Sequence, residues 1–286
     1  MLQQKSAGLS IPEFLKHALD EDQGDGDHTS LSTIEKGARG KALVKVKEDG
    51  IIAGLVLADQ ILNLVDPESR VKVMVSEGAK VTKGDIVMEI ESSTRSLLRA
   101  ERLLLNCMQR MSGIASLTRK YVDAIEGTGT QILDTRKTTP NFRIFEKWAV
   151  QIGGGTNHRF GLYDMILIKD NHVDAAGGII KAIQKANQYL KDTKRELPIE
   201  IETRNLEEVR EVLKTGGVQR VMLDNFNTEL LKEAVELIAN KIITEASGGI
   251  VLENVRSYAL TGVNYISVGA LTHSYKSLDI SMKLVK

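Results

Sequence analysis

PIEIETRNLEEVREVLKTGGVQRVMLDNFNTELLKEAVELIANKIITEASGG, residues 198–249, carries the beat that decides the fold. Short β-type runs each finish on a polar or small residue: PIEIE on Glu202, RVMLD on Asp224, ITEAS on Ser247 and, just beyond the quoted stretch, YISVG on Gly269. These ends stand 22, 23 and 22 residues apart. Helix-like stretches such as NLEEVREVLKTGG and TELLKEAVELIAN fill the intervals. That alternation is a chain of β–α units and implies a parallel sheet. Upstream, MILIK ending at Lys169 and QILDT ending at Thr135 extend the series. The short period favours closure into a barrel. A doubly wound open sheet is the alternative, but no GxGxxG opens a helix after the first strand.

In α/β barrels the loops after the strands converge on one mouth, so chemistry collects at the strand carboxyl ends. Here that rim carries Asp134, Lys169, Glu202, Asp224, Ser247 and Gly269. Any one of them alone reads as a cap. Six in step favour a site. The segment 134–172, DTRKTTPNFRIFEKWAVQIGGGTNHRFGLYDMILIKDNH, adds cations: Arg136, Lys137, Arg143, Lys147, His158, Arg159, Lys169 and His172. The whole chain is neutral, with 38 Lys+Arg against 38 Asp+Glu. A local cationic cluster in a neutral chain suits a pocket for a small ligand with several negative charges.

The 286 residues suit one large domain or two ordinary ones, with 42% hydrophobic residues to build a core. A balanced charge argues against nucleic-acid partners, and 4% aromatics argue against a stacking platform. The single Cys107 excludes an internal disulfide and a multi-cysteine metal site, and it fits a reducing, cytoplasmic location. No apolar run approaches a membrane span. MLQQKSAGLSIPEFLKHALD has no cleavage-site pattern and reads as a short amphipathic helix.

The first hundred residues differ in kind. ARGKALVKVKEDGIIAGL, SRVKVMVSE and KGDIVMEIES are strand-rich. EGAKVTKGDIVMEIE is similar to the turns of barrel-sandwich modules, without the hairpin lysine that carries a swinging cofactor. A long helix is predicted from Ser96 to Ile125, with Leu97, Leu104, Leu105, Met108 and Met111 as its apolar stripe and Gly127 and Gly129 as its stop.

Several signals stay open. Gly153–Gly155 is either a flexible turn or a close approach to an anion, and it is no Walker loop. Ser247–Gly249 and Gly269 are either tight β–α turns or a phosphate cradle, with the cradle slightly ahead. Glu202 and Asp224 suit Mg²⁺, ribose hydroxyls or a cationic sugar carbon, or else are ion-pair partners for Lys169 and Arg159. Lys169 is either a Schiff-base lysine or a fixed cation. The turn DEDQGDGDHTS fails the EF-hand pattern, and the five histidines lack zinc spacing.

Taken together, DTRKTTP, EKWAV, GGGTNHR, LIKDNH, ERLLLNCMQRMSGIAS, IEIE, LDNF, EASGGI and SVGALTHS resemble the quinolinate phosphoribosyltransferases, also called nicotinate-nucleotide pyrophosphorylases (carboxylating). The resemblance covers nearly the whole chain. It implies an incomplete α/β barrel of about seven strands beside an N-terminal α/β sandwich domain. The expected limits are 1–112 with 271–286 for the sandwich, and 113–270 for the barrel. It implies phosphoribosyl transfer from phosphoribosyl pyrophosphate to quinolinate with decarboxylation, giving nicotinate mononucleotide, pyrophosphate and carbon dioxide, with Mg²⁺ held at Glu202 and Asp224. It further implies a homodimer, or a multiple of dimers, with shared active sites. The implied pocket residues are Thr135, Arg136, Lys137, His158, Arg159, Lys169, Glu202 and Asp224, with Lys137, Lys169, Glu202 and Asp224 catalytic. Arg102 reaches in from the neighbouring subunit. Ser247, Gly248, Gly249, Ser267, Val268 and Gly269 hold the 5′-phosphate. Many members have glycine after the proline where this chain has Asn141.

Overall fold

The computed structural model describes residues 10–285, so the first nine residues of the expected N-terminal helix lie outside the described residues. In chain order the elements are α1 (Ile11–Gln23), α2 (His28–Thr33), β1 (Arg39–Val46), β2 (Gly50–Ile51), α3 (Leu55–Val65), β3 (Arg70–Val73), β4 (Lys80–Val81), β5 (Ile86–Ser93), α4 (Thr94–Ala124), β6 (Gln131–Leu133), α5 (Arg143–Ile152) and β7 (Ile166–Ile168). They continue with α6 (Asp170–Ala176), α7 (Ile179–Thr193), β8 (Ile199–Thr203), α8 (Leu206–Thr215), β9 (Arg220–Asp224), α9 (Thr228–Ile238), β10 (Ile243–Ser247), α10 (Val255–Ala259), β11 (Tyr265–Ser267), α11 (Ala270–His273) and β12 (Ile280–Val285). Two compact units result. One holds the chain up to Arg119, Thr138–Gly154 and the segment from Ser274; the other holds Lys120–Lys137 and Gly155–His273.

The first unit is built on an antiparallel sheet of order β12-β1-β5-β3. Ala42, Val44 and Val46 alternate inward from β1, the period-two pattern of a half-buried strand. The C-terminal β12 adds to its edge, pairing Val44 with Met282. Helix α1 opens on a capping box, in which Ser10 Oγ accepts from Glu13 N–H and the Glu13 carboxylate accepts from Ser10 N–H. It buries Ile11, Leu15 and Leu19, one face at a spacing of four. Helix α4 buries all five residues of the expected stripe. Two serines on it do backbone work: Ser112 Oγ accepts from Ala53 N–H at 2.9 Å and Ser116 Oγ from Ile51 N–H at 2.8 Å. Helix α5 brings the fully buried Glu146 to Arg110, with Nε at 2.9 Å, while Thr139 N–H donates to its other oxygen at 3.0 Å. Asn141 has φ 63°, so it occupies the left-handed conformation that a glycine takes most cheaply.

The second unit is a six-stranded parallel sheet of order β6-β11-β10-β9-β8-β7. The chain enters on β6, crosses to the opposite edge at β7, and then walks strand by strand back to β6. The first strand therefore pairs with the last, as in a barrel, while β6 and β7 do not pair. Thr156 makes a parallel bridge to Leu133 on the free side of β6, a seventh strand position of one residue. The barrel is incomplete, as expected. Asn205 and Asn227 cap α8 and α9 by accepting from Glu208 and Leu230 N–H, which sets the short loops after Thr203 and Asp224. Val209, Val212, Leu231, Ala234 and Ile238 bury the helices' inner faces.

Candidate active site

All of the expected rim residues belong to the second unit. Lys169 follows β7, Glu202 lies on β8, Asp224 ends β9, Ser247 ends β10 and Ser267 ends β11. Ladder pairing sets them side by side: Ile168 opposes Ile201, and Ser247 opposes Asp224. Lys169 Nζ is 3.3 Å from Glu202 Oε2. The Lys169 N–H donates to His172 Nδ1 at 2.9 Å, so the histidine sets the turn that aims the lysine. Burial raises the Glu202 carboxyl above its ordinary value; Lys169 opposes that, and Asp224 and Asp170 add to it. Two carboxylates that raise each other's cost offer hard oxygens to a divalent cation, a donor set that suits Mg²⁺.

Arg159 is fixed from several sides. Asp134 is fully buried at the end of β6, where Oδ1 accepts from His158 N–H at 2.8 Å and Oδ2 from Asn157 Nδ2 at 2.5 Å. His158 Nδ1 accepts from Arg159 N–H at 2.7 Å. The Arg159 guanidinium donates to Met165 O at 3.1 Å. Burial lowers the Arg159 pKa, and the charge of Arg136 lowers it further. The charges of Glu200 and Asp164 offset part of that effect. Lys137 runs past Gly269, its carbonyl accepting from Thr272 Oγ1 at 2.8 Å and its N–H donating to Thr135 Oγ1 at 3.0 Å.

After β10 the backbone makes an open cradle. Gly248 has φ +96°, and a Cβ there would lie 2.2 Å from Asn225 Oδ1 and 2.9 Å from Asn225 N. Gly249 has φ +63° with nothing within 4 Å of its missing Cβ. The first glycine is demanded by packing; the second leaves room.

The cations of 134–172 are divided between the two units. Arg143, bonded to Thr138 Oγ1 at 2.8 Å, and the buried Lys147 lie on α5 in the first unit. The triple glycine is a packing device at its start: a Cβ on Gly153 would meet Ala115 O at 2.6 Å, so the run ends α5 against α4. Arg102 is exposed on α4 in the first unit.

The chain matches the quinolinate phosphoribosyl transferase C-terminal domain over residues 114–283 and the N-terminal domain over residues 27–112. It belongs to the quinolinate phosphoribosyltransferase family. It is 49% identical to a mitochondrial quinolinate phosphoribosyltransferase [decarboxylating] of Nicotiana tabacum, covering 96% of this chain and 82% of the relative. It is 44% identical to a probable nicotinate-nucleotide pyrophosphorylase [carboxylating] of Synechocystis, covering 97% and 94%. Its fold is similar to the crystal structure of NadC from Streptococcus pyogenes, with a TM-score of 0.92, 41% identity and 96% of each chain covered.

Beneath the rim of this family member lies a set of charges that the sequence reading missed. Glu200 and Glu245 are fully buried on β8 and β10, and Arg220 on β9 donates to Glu245 Oε2 at 2.9 Å. His158 Nε2 is 2.9 Å from Glu200 Oε2 and 3.4 Å from Glu245 Oε2. Burial, together with the Glu245 charge, pushes the Glu200 carboxyl up to about 7. Burial also pushes Glu245 up, but His158, Arg220 and Ser267 outweigh it and hold Glu245 below its ordinary value. Burial lowers His158, and the two carboxylates together pull it up to about 9. Geometry opposes that last pull. A proton on Nδ1 would face the Arg159 N–H across 2.7 Å, so the hydrogen bond selects the neutral Nε2–H ring. The available signal was alternation: Glu200 shares a face with Glu202, Arg220 with Asp224, and Glu245 with Ser247.

No helix among the described residues is long and apolar enough to cross a membrane.

Proposed function

We propose that this chain transfers the phosphoribosyl group of phosphoribosyl pyrophosphate to quinolinate and decarboxylates the adduct, yielding nicotinate mononucleotide, pyrophosphate and carbon dioxide for NAD synthesis. The observation that carries the reading is the Arg136–Arg159 pair. Arg136 and Arg159 set two guanidinium charges against each other, and quinolinate presents adjacent carboxylates that guanidinium forks can grip. Lys137 and Lys169 add fixed positive charge, and Arg102 of a neighbouring subunit completes the clamp in a homodimer or a multiple of dimers.

The 5′-phosphate sits against Ser247–Gly249 and Ser267–Gly269, where nothing lies within 4 Å of the position a Gly249 Cβ would take. The ring nitrogen attacks the anomeric carbon as the bond to pyrophosphate breaks. Positive charge developing on the sugar is stabilised by Glu202 and Asp224. Those carboxylates would also hold Mg²⁺, which would supply positive charge to offset that of the departing pyrophosphate. The nitrogen is now cationic. Loss of the 2-carboxylate leaves its electron pair on the ring carbon next to that charge, and a proton from solvent completes the product. The protein's share is placement and field. The ion pair of Lys169 with Glu202 keeps the lysine a charged ligand, which favours this role over a Schiff base. The cytoplasm is our choice of compartment, in keeping with the lone buried Cys107, whose thiol burial pushes up to about 12.

Release of pyrophosphate and carbon dioxide from quinolinate, phosphoribosyl pyrophosphate and Mg²⁺ tests the reading. Wild type should turn over, while folded Arg136→Ala and Lys169→Ala proteins should lose at least about a hundredfold, the cost of removing a charged contact at the reacting centre. Full activity in both variants would refute the assignment.

A further inference from the structure

The buried charges lie below the rim and meet it where Ser267 hydrogen-bonds Glu245, and the mechanism above gives them no step. We propose that His158 is a positioning residue, clamped by Glu200, Glu245 and Arg220, whose Nδ1 fixes the backbone of Arg159 so that the guanidinium meets the substrate carboxylate in one orientation. This rests on the reading of Arg159 as a quinolinate ligand.

The clamp is continuous. Arg220 donates to Glu245 at 2.9 Å and lies 4.0 Å from Glu200. The two carboxylates flank His158 Nε2. Its other nitrogen accepts from Arg159 N–H, while Asp134 accepts from the N–H of His158 itself. Side chain and backbone of one residue are therefore held from β8, from β10 and from Asp134 just after β6. Nδ1 faces the Arg159 N–H and Nε2 faces the two carboxylates, so both ring nitrogens are engaged within the protein rather than with a ligand. Arg220 also stacks on Tyr265, with its guanidinium carbon 4.7 Å from the ring centroid, which fixes the base of the clamp. The ligand atoms of His158, Glu200 and Glu245 lie within 4.8 Å of one another, near enough to hold a metal ion. The guanidinium already paired to Glu245 supplies the positive charge such an ion would bring.

Two substitutions separate the two ends of the ring. In His158→Asn the carboxamide oxygen falls near the Nδ1 position and still accepts from Arg159 N–H. In His158→Gln the amide reaches towards the carboxylates and leaves that N–H without its acceptor. The first readout is hydrogen exchange of the Arg159 amide, which needs no substrate. We expect protection like wild type in His158→Asn and at least about tenfold faster exchange in His158→Gln, one lost hydrogen bond of about 1.4 kcal/mol. The second is steady-state kinetics. His158→Gln should raise KM for quinolinate about tenfold and leave KM for phosphoribosyl pyrophosphate within about twofold, with His158→Asn restoring most of the difference. Glu245→Gln, which keeps the shape, should show the same KM split and serves if a histidine variant does not fold. Equal exchange in the Asn and Gln variants, or a parallel rise of both KM values, would overturn the proposal. So would stoichiometric Zn²⁺ binding by wild type that Glu245→Gln abolishes. A wild type inert towards quinolinate would sink the functional reading instead, with the exchange result still deciding whether His158 positions Arg159.

Discussion

Replacing Gly248 by alanine should break the fold locally, whereas the same change one residue later should break binding. At Gly248 the new methyl would sit 2.2 Å from Asn225 Oδ1, 2.7 Å from its Cγ and 2.9 Å from its backbone nitrogen. Asn225 has little room to retreat. Its own φ is 58°, its N–H donates to Ser247 O at 2.8 Å, and its Nδ2 donates to Asp224 Oδ2 at 2.6 Å. An alanine at positive φ costs about 1–2 kcal/mol, and forcing a packed neighbour aside costs about 1–3 kcal/mol more. The total of about 2–5 kcal/mol corresponds to a Tm drop of about 6–15 °C at about 3 °C per kcal/mol. Gly249→Ala carries the backbone term only, so its Tm should fall by about 3–6 °C. Its methyl enters the space where the 5′-phosphate is proposed to lie, and KM for phosphoribosyl pyrophosphate should rise at least about tenfold, the loss of one charge-assisted hydrogen bond. Thermal melts and initial rates on the two variants give both orders. A Gly248→Ala protein as stable as Gly249→Ala would refute the packing argument, and an unchanged KM in Gly249→Ala would remove the phosphate from the cradle.

Inactive Arg102→Ala and inactive Lys169→Ala chains, unfolded and refolded together, should recover up to about a quarter of wild-type activity if each site takes an arginine from its neighbour; no recovery despite shown subunit exchange counts against sharing. Arg136→Ala should lose quinolinate binding by calorimetry with a Tm within about 5 °C of wild type, near 2 kcal/mol; a larger fall would show the arginine to be structural. Glu146→Ala should cost about 3–5 kcal/mol, since it strips the partner of Arg110 and of the Thr139 N–H from a fully buried site; a denaturant midpoint within error of wild type would contradict this. Cys107, with its thiol pushed up to about 12, stays protonated from pH 7 to 9 and should label with a thiol reagent only at the rate of unfolding; rapid labelling of native protein at pH 8 would refute its burial.

The barrel was legible because its period is enforced by geometry. Each β–α unit must cover one strand spacing and return, so Glu202, Asp224, Ser247 and Gly269 recur at nearly constant intervals whatever the side chains do. The cation run misled in part because nothing local tells Arg143 and Lys147 that their helix leaves the barrel unit. Asp134 read as a rim group, yet its carboxylate is fully buried and holds the Asn157–His158 turn. Glu200, Glu245 and Arg220 escaped for a different reason. Strands of a parallel sheet are buried on both faces and read as apolar runs, so one interior charge in each of three strands looks like noise until the ladder puts them together.

The two tiers of charge divide the work of the second unit. In the lower tier, Glu200 and Glu245 are flanked by His158 and Arg220, and burial with the neighbouring Glu245 charge pushes Glu200 up to about 7. That tier sets its charges against one another within the unit, at 2.9 Å for His158–Glu200 and for Arg220–Glu245. In the upper tier Arg136 and Arg159 repel, Glu202 and Asp224 repel, and the Lys169–Glu202 pair bridges them only in part. On the proposed function, such a tier gains further favourable partners when a dianion, a pyrophosphate and a metal ion bind. Stability drawn from below lets the rim keep an unfavourable arrangement of charge, and relief of that arrangement is greatest where charge builds on the reacting sugar.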